Sequence, residues 1–423
     1  MLSVRPANGH GRSSALDVMS YEVVLDLTQG TDTFWSRTRM HFRCQPDGAV
    51  AVADLHPVSI RRIALNGTHL SAGGLKDGRL KLPRLANENT LAVEAEFAYA
   101  SAGEGLRRVT GPADGSACVY SKTYPAWASR IFCCFDQPDL RAPFTVSVQA
   151  PGGWSCRANA PLAARPAVGG AGLWRFAPTT PLAPSLFSVC AGPFSGPVLA
   201  CERDRGPSLP VTLWALAPAA GLFDLETILE LVRQPLRYYE RTLGVPYPYD
   251  KCDLVFVPGF PALAFSAPGL ITAQDTVLQA RGRPAYYLAA VIAHELAHAW
   301  FGGLVGMRQR DDTWLIEAIT TYLSRAALAE TWPGTTPWAA ATSVTLPDHA
   351  YAGNAAAIRQ LETLIGWRAV MLGLGSLLQR HPHSAATKDD LVRCWSQATG
   401  RDLRTWAAET LIPAPRPEDH STG

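Results

Sequence analysis

The sequence predicts an α+β fold, a β-sheet domain followed by a mainly helical one. Apolar and polar residues alternate through the first two hundred positions, then recur at helical spacing beyond Gly206-Pro207. At 423 residues the chain exceeds one ordinary core, which predicts two domains. We place a tail at 1–17, a β-sandwich or open, saddle-like β-domain at 18–203, a second domain at 204–412 and a frayed tail at 413–423.

The strands come first. Met40, Phe42 and Cys44 alternate with Arg39, His41 and Arg43. Leu91, Val93, Ala95, Phe97 and Tyr99 alternate with Ala92, Glu94 and Glu96, and Phe144, Val146 and Val148 repeat the same period. Between such runs lie turn-forming clusters such as LNGTH and APGGW. After Gly206-Pro207, LFDLETILELVRQPLRYYERTLG has helical spacing and stops at Gly244. A short strand, CDLVFVP, follows. Helical patterns then cover 284–301, 312–330, 354–380 and 388–399, with Thr387 and Asp390 at capping-box spacing for the last.

Composition excludes several classes. Hydrophobic residues make up 47% of the chain, and 38 basic against 36 acidic residues leave a net charge of +2, so nothing points to nucleic acid. The opening MLSVRPANGHGRSSALDV has no apolar run long enough for a signal peptide, and no later segment approaches a membrane span. Nine cysteines without CxxC pairs read as reduced thiols, with Cys133 and Cys134 in the core. A cytoplasmic protein without a membrane partner is expected; its oligomeric state is open.

The chemistry concentrates at VIAHELAHAWFGG. His294 and His298 stand one helical turn apart, so both imidazoles can reach one ion. Glu295 is rotated off that line, where it can hold a water instead of the metal. The bland alternative is a buried helix with two incidental histidines. The next segment, RDDTWLIEAITTYLS, argues against it: its aspartate pair suits a helix cap, and Glu317 sits well inside, with eighteen residues between it and His298. Two histidines and one carboxylate leave a position open for water, the pattern of a catalytic zinc, one Zn2+ per chain.

These segments resemble the zinc aminopeptidases of the alanyl-aminopeptidase type, which include a leukotriene-converting epoxide hydrolase. HELAHAWFG and WLIEAITTYL are similar to that family's HExxHxWFG and WLNEGFATYL. RIFCCFDQPDLRAPFTVSV, YYERTLGVPYPYDKCDLVFVPGF and AYAGNAAAIRQLETLIG match further segments, so the likeness covers nearly the whole chain. It implies a thermolysin-like second domain, and a short form without the C-terminal helical domain of longer members. It implies His294, His298 and Glu317 as zinc ligands, Glu295 as general base, and Tyr351 as hydrogen-bond donor to the oxyanion.

Two departures bear on specificity. The family anchors a substrate's free amine with glutamates, one in its GAMEN motif. Here the matching stretch is LAFSAPGLIT, which sets Ser266 at the glutamate position with Ala264 and Phe265 beside it. A second anchor lies in a QxE segment, where YSKTYPAWAS places Lys122 and Tyr124. A buried ammonium without a carboxylate partner costs several kcal/mol. Asp275 or Asp348 taking over is the bland alternative. Two smaller departures are Gly303, where Asn or Asp is usual, and Ser324, where many members carry a carboxylate.

The expected function is a zinc-dependent hydrolase cleaving an amide or peptide bond with altered selection at the amino end. Its substrate partner would be a peptide or small molecule, neutral or acidic at the end usually bound as an amine. A tailoring enzyme using the zinc on a non-peptide molecule is the runner-up, by ester or epoxide hydrolysis, cyclisation or dehydration. A non-catalytic scaffold comes third.

Overall fold

The long alternating runs pair into one eight-stranded sheet whose rows of apolar side chains build a large core. A computed structural model describes residues 16–46, 48–101, 104–111, 115–167, 169–217, 224–278, 285–332, 337–338 and 349–412. In sheet order the strands are Leu162–Ala164, Gly172–Phe176, Phe144–Ala150, Leu16–Asp26, Thr33–Cys44, Glu88–Ala98, Ser59–Leu65 and Thr68–His69. Phe144, Tyr21, Met40 and Leu91 stand opposite one another on four successive strands, all buried. The Tyr21 and Phe144 rings stack at 4.4 Å. Such cross-strand pairs are the unit that stabilises a sheet, and they fix its register. The predicted alternation at 40–44, 91–97 and 144–148 is therefore what one buried face requires. Asn66 and Gly67 both take positive φ, the left-handed turn that joins Ser59–Leu65 to Thr68–His69.

A four-stranded sheet, Ser155–Ala158, Val189–Gly192, Ala117–Lys122 and Gly105–Thr110, also carries part of this core, through Val119, Cys156, Ala158, Val189 and Ala191. A further sheet contains, in order, Phe194–Ser195, Leu209–Leu216, Cys252–Val257, Leu270–Gln274 and Ala264–Ala267. Cys252–Val257, the expected strand, runs parallel to Leu270–Gln274 and is buried throughout. Contacts divide the chain into two units, Met1–Val198 with Thr212–Leu222 and Asp250–Thr276, and Leu199–Val211 with Phe223–Tyr249 and Val277–Gly423.

The second unit holds the helices. These are α1 (Leu225–Leu243), α2 (Ala285–Ala297), α3 (Trp314–Thr331), α4 (His349–Ile365), α5 (Trp367–Arg380), α6 (Lys388–Thr399) and α7 (Arg404–Thr410). Asp224 caps α1 by accepting the Thr227 N–H at 3.2 Å, and Gly244 ends it at φ 66°. The Thr387–Asp390 capping box of α6 is formed. An α+β fold, sheets first and helices second, is thus what the structure contains.

Three boundaries differ from the sequence reading. The pattern at 354–380 is two helices, because Gly366 at φ 85° leaves the right-handed helical region, and α4 and α5 meet at a 118° bend. The Asp311-Asp312 pair forms a 3-10 turn, Arg310–Asp312, and the residue before α3 is Thr313, which makes no side-chain cap hydrogen bond. That puts Glu317 in the first turn of α3, not well inside it. The third concerns α2 and is described with the site. Pro284, expected in the first turn of α2, lies outside the described residues. No single described helix is long and apolar enough to cross a membrane; the bent pair Ala355–Ile365 and Trp367–Arg380 passes by length and composition only when taken together. All nine cysteines are buried as free thiols, Cys133 and Cys134 among them.

Candidate metal centre

Helix α2 is buried on most sides: Ala289, Val291, Ile292, Ala293, Leu296 and Ala297 are all within the core. The Tyr239 hydroxyl on α1 donates to the Ala293 carbonyl at 2.8 Å, next to His294. Regular helix ends at Ala297, earlier than the predicted 301. Beyond it the ladder widens: Gly303 N–H donates to His298 O, Leu304 to Ala299 O and Val305 to Trp300 O, each across five residues. His298 therefore stands on a widened turn. Buried Trp300 pins this turn from inside, donating its indole N–H to Val245 O at 2.9 Å between the rings of Tyr239 and Tyr247.

Gly303 is required here. A Cβ on it would lie 2.4 Å from the Tyr249 hydroxyl, 2.7 Å from Ala299 O and 2.9 Å from His298 O. Tyr249 also donates to Ala299 O at 3.2 Å, so its phenol occupies the space that a side chain at 303 would enter. Gly303→Ala is expected to destabilise the fold by about 1–3 kcal/mol, since two of the three crowding atoms are backbone. Thermal unfolding checks this; an unchanged Tm would show the turn to be more pliant than its packing implies.

His294, His298 and Glu317 converge. Their Nε2 atoms are 3.2 Å apart, and Glu317 Oε2 lies 3.4 Å from His294 Nε2 and 3.6 Å from His298 Nε2. The imidazole rings meet edge-on at 81°. A tetrahedral ion with ligands at about 2.0–2.1 Å keeps them about 3.3 Å apart, so this triangle has the right size for zinc. The donor chemistry also fits. His298 Nδ1 lies 3.1 Å from Phe301 O, and a carbonyl only accepts, so in the neutral ring the proton sits on Nδ1 and Nε2 is left to ligate. His294 Nδ1, by contrast, is buried and meets no partner among the described residues. Ser324 turns its hydroxyl back to Thr321 O at 3.0 Å.

Protons compete for the same centre. Burial opposes a charge on His298, but the Glu317 carboxylate outweighs it and lifts the imidazole pKa to about 9. Burial also opposes ionisation of Glu317, yet the two imidazoles hold its carboxyl well below the usual range. A metal needs the neutral imidazole, so below pH 9 its binding must expel a proton. Zinc affinity, measured by chelator competition, is expected to rise up to about tenfold per unit between pH 7 and 9. Stability of the metal-free protein moves oppositely. The raised His298 pKa contributes stability fully below its unfolded value of 6.5, and that contribution is lost as pH climbs through about 9. A pH-independent zinc affinity over this range would contradict the pairing.

Glu295, next to His294 in the chain, is buried. Tyr351 falls in the first turn of α4, but its side chain, like those of His349 and its neighbours, lies outside the described residues. Asp348 also lies outside them.

The positions matched to the amine anchors come together within the first unit. Ala264, Phe265 and Ser266 lie half-buried on Ala264–Ala267, the last strand in its sheet's order, with Ser266 opposite Ile271. Lys122 ends the strand Ala117–Lys122, and its Nζ sits 5.8 Å from the centre of the Trp127 ring. The Tyr124 and Phe265 rings approach to 6.4 Å at 34°. Residues 121–129 and 261–274 contain no acid. Asp275 follows in a 3-10 turn, where burial pushes its carboxyl pKa up. The sequence reading missed Tyr249. The signal was available in the glycine at 303, whose lost side chain leaves a volume for another group to fill.

Residues 227–348 match the peptidase family M1 domain. Over 441 residues, 95% of this chain and 51% of the relative, the chain is 32% identical to "Aminopeptidase N" of Streptomyces lividans. The chain belongs to peptidase family M1. It is 24% identical over 430 residues to "Probable aminopeptidase 1" of Sulfurisphaera tokodaii and 25% identical over 436 residues to "Leucyl aminopeptidase" of Saccharolobus solfataricus, in each case over 94% of this chain and 53% of the relative. The chain spans about half the length of these relatives. In this family M1 chain the matched region takes in Ser266, His294, Glu295, His298 and Glu317, while Lys122, Tyr124 and Tyr351 fall outside it.

Proposed function

We propose that this chain is a zinc-dependent hydrolase that cleaves an amide or peptide bond and no longer selects substrates by a free amine. The observation that carries the reading is the triangle of His294, His298 and Glu317, with donor atoms 3.2–3.6 Å apart. When bound, zinc supplies Lewis acidity that brings the pKa of a water from about 16 to near 7. Glu295 takes a proton from the attacking water and returns it to the leaving nitrogen. His298 is held in its ligating tautomer by Phe301 O. Tyr351 is assigned, on the resemblance, to donate to the oxyanion, a role of about 3 kcal/mol in transition-state binding.

The altered selection is supported by what lines the anchor positions: an aromatic pair, a serine and a lysine, without a carboxylate in either stretch. The substrate group placed there is neutral or acidic. The same change supports a second reading, ester or epoxide hydrolysis on a small molecule. The test is a panel of fluorogenic aminoacyl amides, unblocked and N-acylated, beside matched esters, each with and without a chelator. Chelator-sensitive release from blocked but not unblocked amides is the expected outcome. Turnover of unblocked amides alone would restore ordinary aminopeptidase action, and turnover of esters alone would favour the second reading.

A further inference from the structure

We infer that Asn159 is a positioning residue that ties the two recognition stretches, Lys122–Tyr124 and Ala264–Ser266, into one rigid body and so sets selectivity at the substrate's amino end. The inference rests on the function proposed above.

Both stretches are anchored from behind by buried polar groups. Burial alternates along the first: Ser121 and Thr123 point inward, while Lys122 and Tyr124 are half-buried. The Thr123 hydroxyl lies 2.7 Å from Ser185 O and 2.9 Å from Phe187 O, sharing one proton between two carbonyls. Ser121 Oγ accepts the Val189 N–H at 2.9 Å. The segment 185–189 is thus gripped along one side by the first recognition stretch.

Asn159 grips the same segment and reaches onward. Its Oδ1 accepts the Ser188 N–H at 2.8 Å, and its Nδ2 donates to Leu186 O at 3.0 Å and to Pro268 O at 3.1 Å. Pro268 belongs to the turn joining Ala264–Ala267 to Leu270–Gln274, so it aims the strand that carries Phe265 and Ser266. The turn is flush against its support. Gly269 has φ 72°, and a Cβ there would meet Asn159 O at 2.4 Å.

Lys251 completes the clamp, donating to Ala158 O and Gly269 O at 2.8 Å each and to Asp253 Oδ2 at 2.5 Å. Arg157 approaches the same carboxylate at 3.7 Å. Asn159 is 5% exposed and Thr123 fully buried, so each lost hydrogen bond deprives a main-chain carbonyl, or at Ser188 an N–H, of a partner where water does not compete. The polar path Thr123, 185–189, Asn159, Pro268 therefore fixes the separation at which Tyr124 and Phe265 meet.

The test compares Asn159→Leu, of similar volume, and the milder Thr123→Val with the zinc-loaded wild type. KM for the preferred substrates is expected to rise about tenfold or more while kcat stays within about threefold, because the displaced parts bind substrate and do not touch the metal. The preference between blocked and unblocked amides should fall in parallel, and zinc stoichiometry should not change. A loss of stability alone would leave that preference intact in the molecules that remain folded. Where Asn159→Leu does not fold, Thr123→Val decides by the same three readings. Unchanged KM and preference in folded variants overturn the positioning role while leaving the hydrolase reading in place. A wild type that releases product from no amide overturns both.

Discussion

Glu295→Gln is expected to lower kcat by about 10²–10⁴-fold while the protein keeps one zinc per chain. The amide is nearly isosteric, so the buried site keeps its packing, and His294, His298 and Glu317 are unchanged. What disappears is the carboxylate proposed to take a proton from the attacking water and hand it to the leaving nitrogen. Metal analysis and steady-state kinetics on one preparation separate the two effects. Full activity with zinc bound would remove Glu295 from the mechanism. Loss of zinc along with activity would instead make it part of the metal's support.

Reinstating the missing carboxylates is the second large effect. Ser266→Glu combined with Tyr124→Glu is expected to shift the kcat/KM ratio of unblocked over blocked amides by about 10–100-fold. Charge-assisted hydrogen bonds contribute about 1.5–3 kcal/mol, and an ammonium brought to this place meets no acid from either stretch in the wild type. Each single variant should give less, since one carboxylate leaves the other side of the ammonium unmatched. Removing Tyr124 also ends its contact with Phe265, so some loss of kcat/KM for blocked substrates should accompany the gain. An unmoved ratio in a folded, zinc-bound double variant would mean that another group already anchors the amine.

How much of this was legible in the chain depends on the range of the interaction. The alternation at 40–44, 91–97 and 144–148 marks a face buried in a sheet, and the structure pairs those runs into one sheet. The cluster of His294, His298 and Glu317 was legible because helical spacing sets the two histidines on one side, and one following helix can bring Glu317 back to them. The break at Gly366 was not, because apolar spacing continues through α4 and α5 while a single positive φ turns the axis. Nor was the widened turn after Ala297, where the deviation lies in backbone bonding that Trp300 enforces from within. The buried network of Asn159 is the least legible part. Apart from the Thr123 hydroxyl, its members at 185–188 and 268 are main-chain carbonyls and an N–H, which any sequence supplies.

The phenol of Tyr249 beside Gly303 couples two positions. A Cβ at 303 would meet the Tyr249 hydroxyl and two main-chain oxygens at 2.4–2.9 Å. A larger residue at 303 therefore needs a paired exchange at 249 and a shift of the loop, so the effects of substitutions at these two sites are expected not to add.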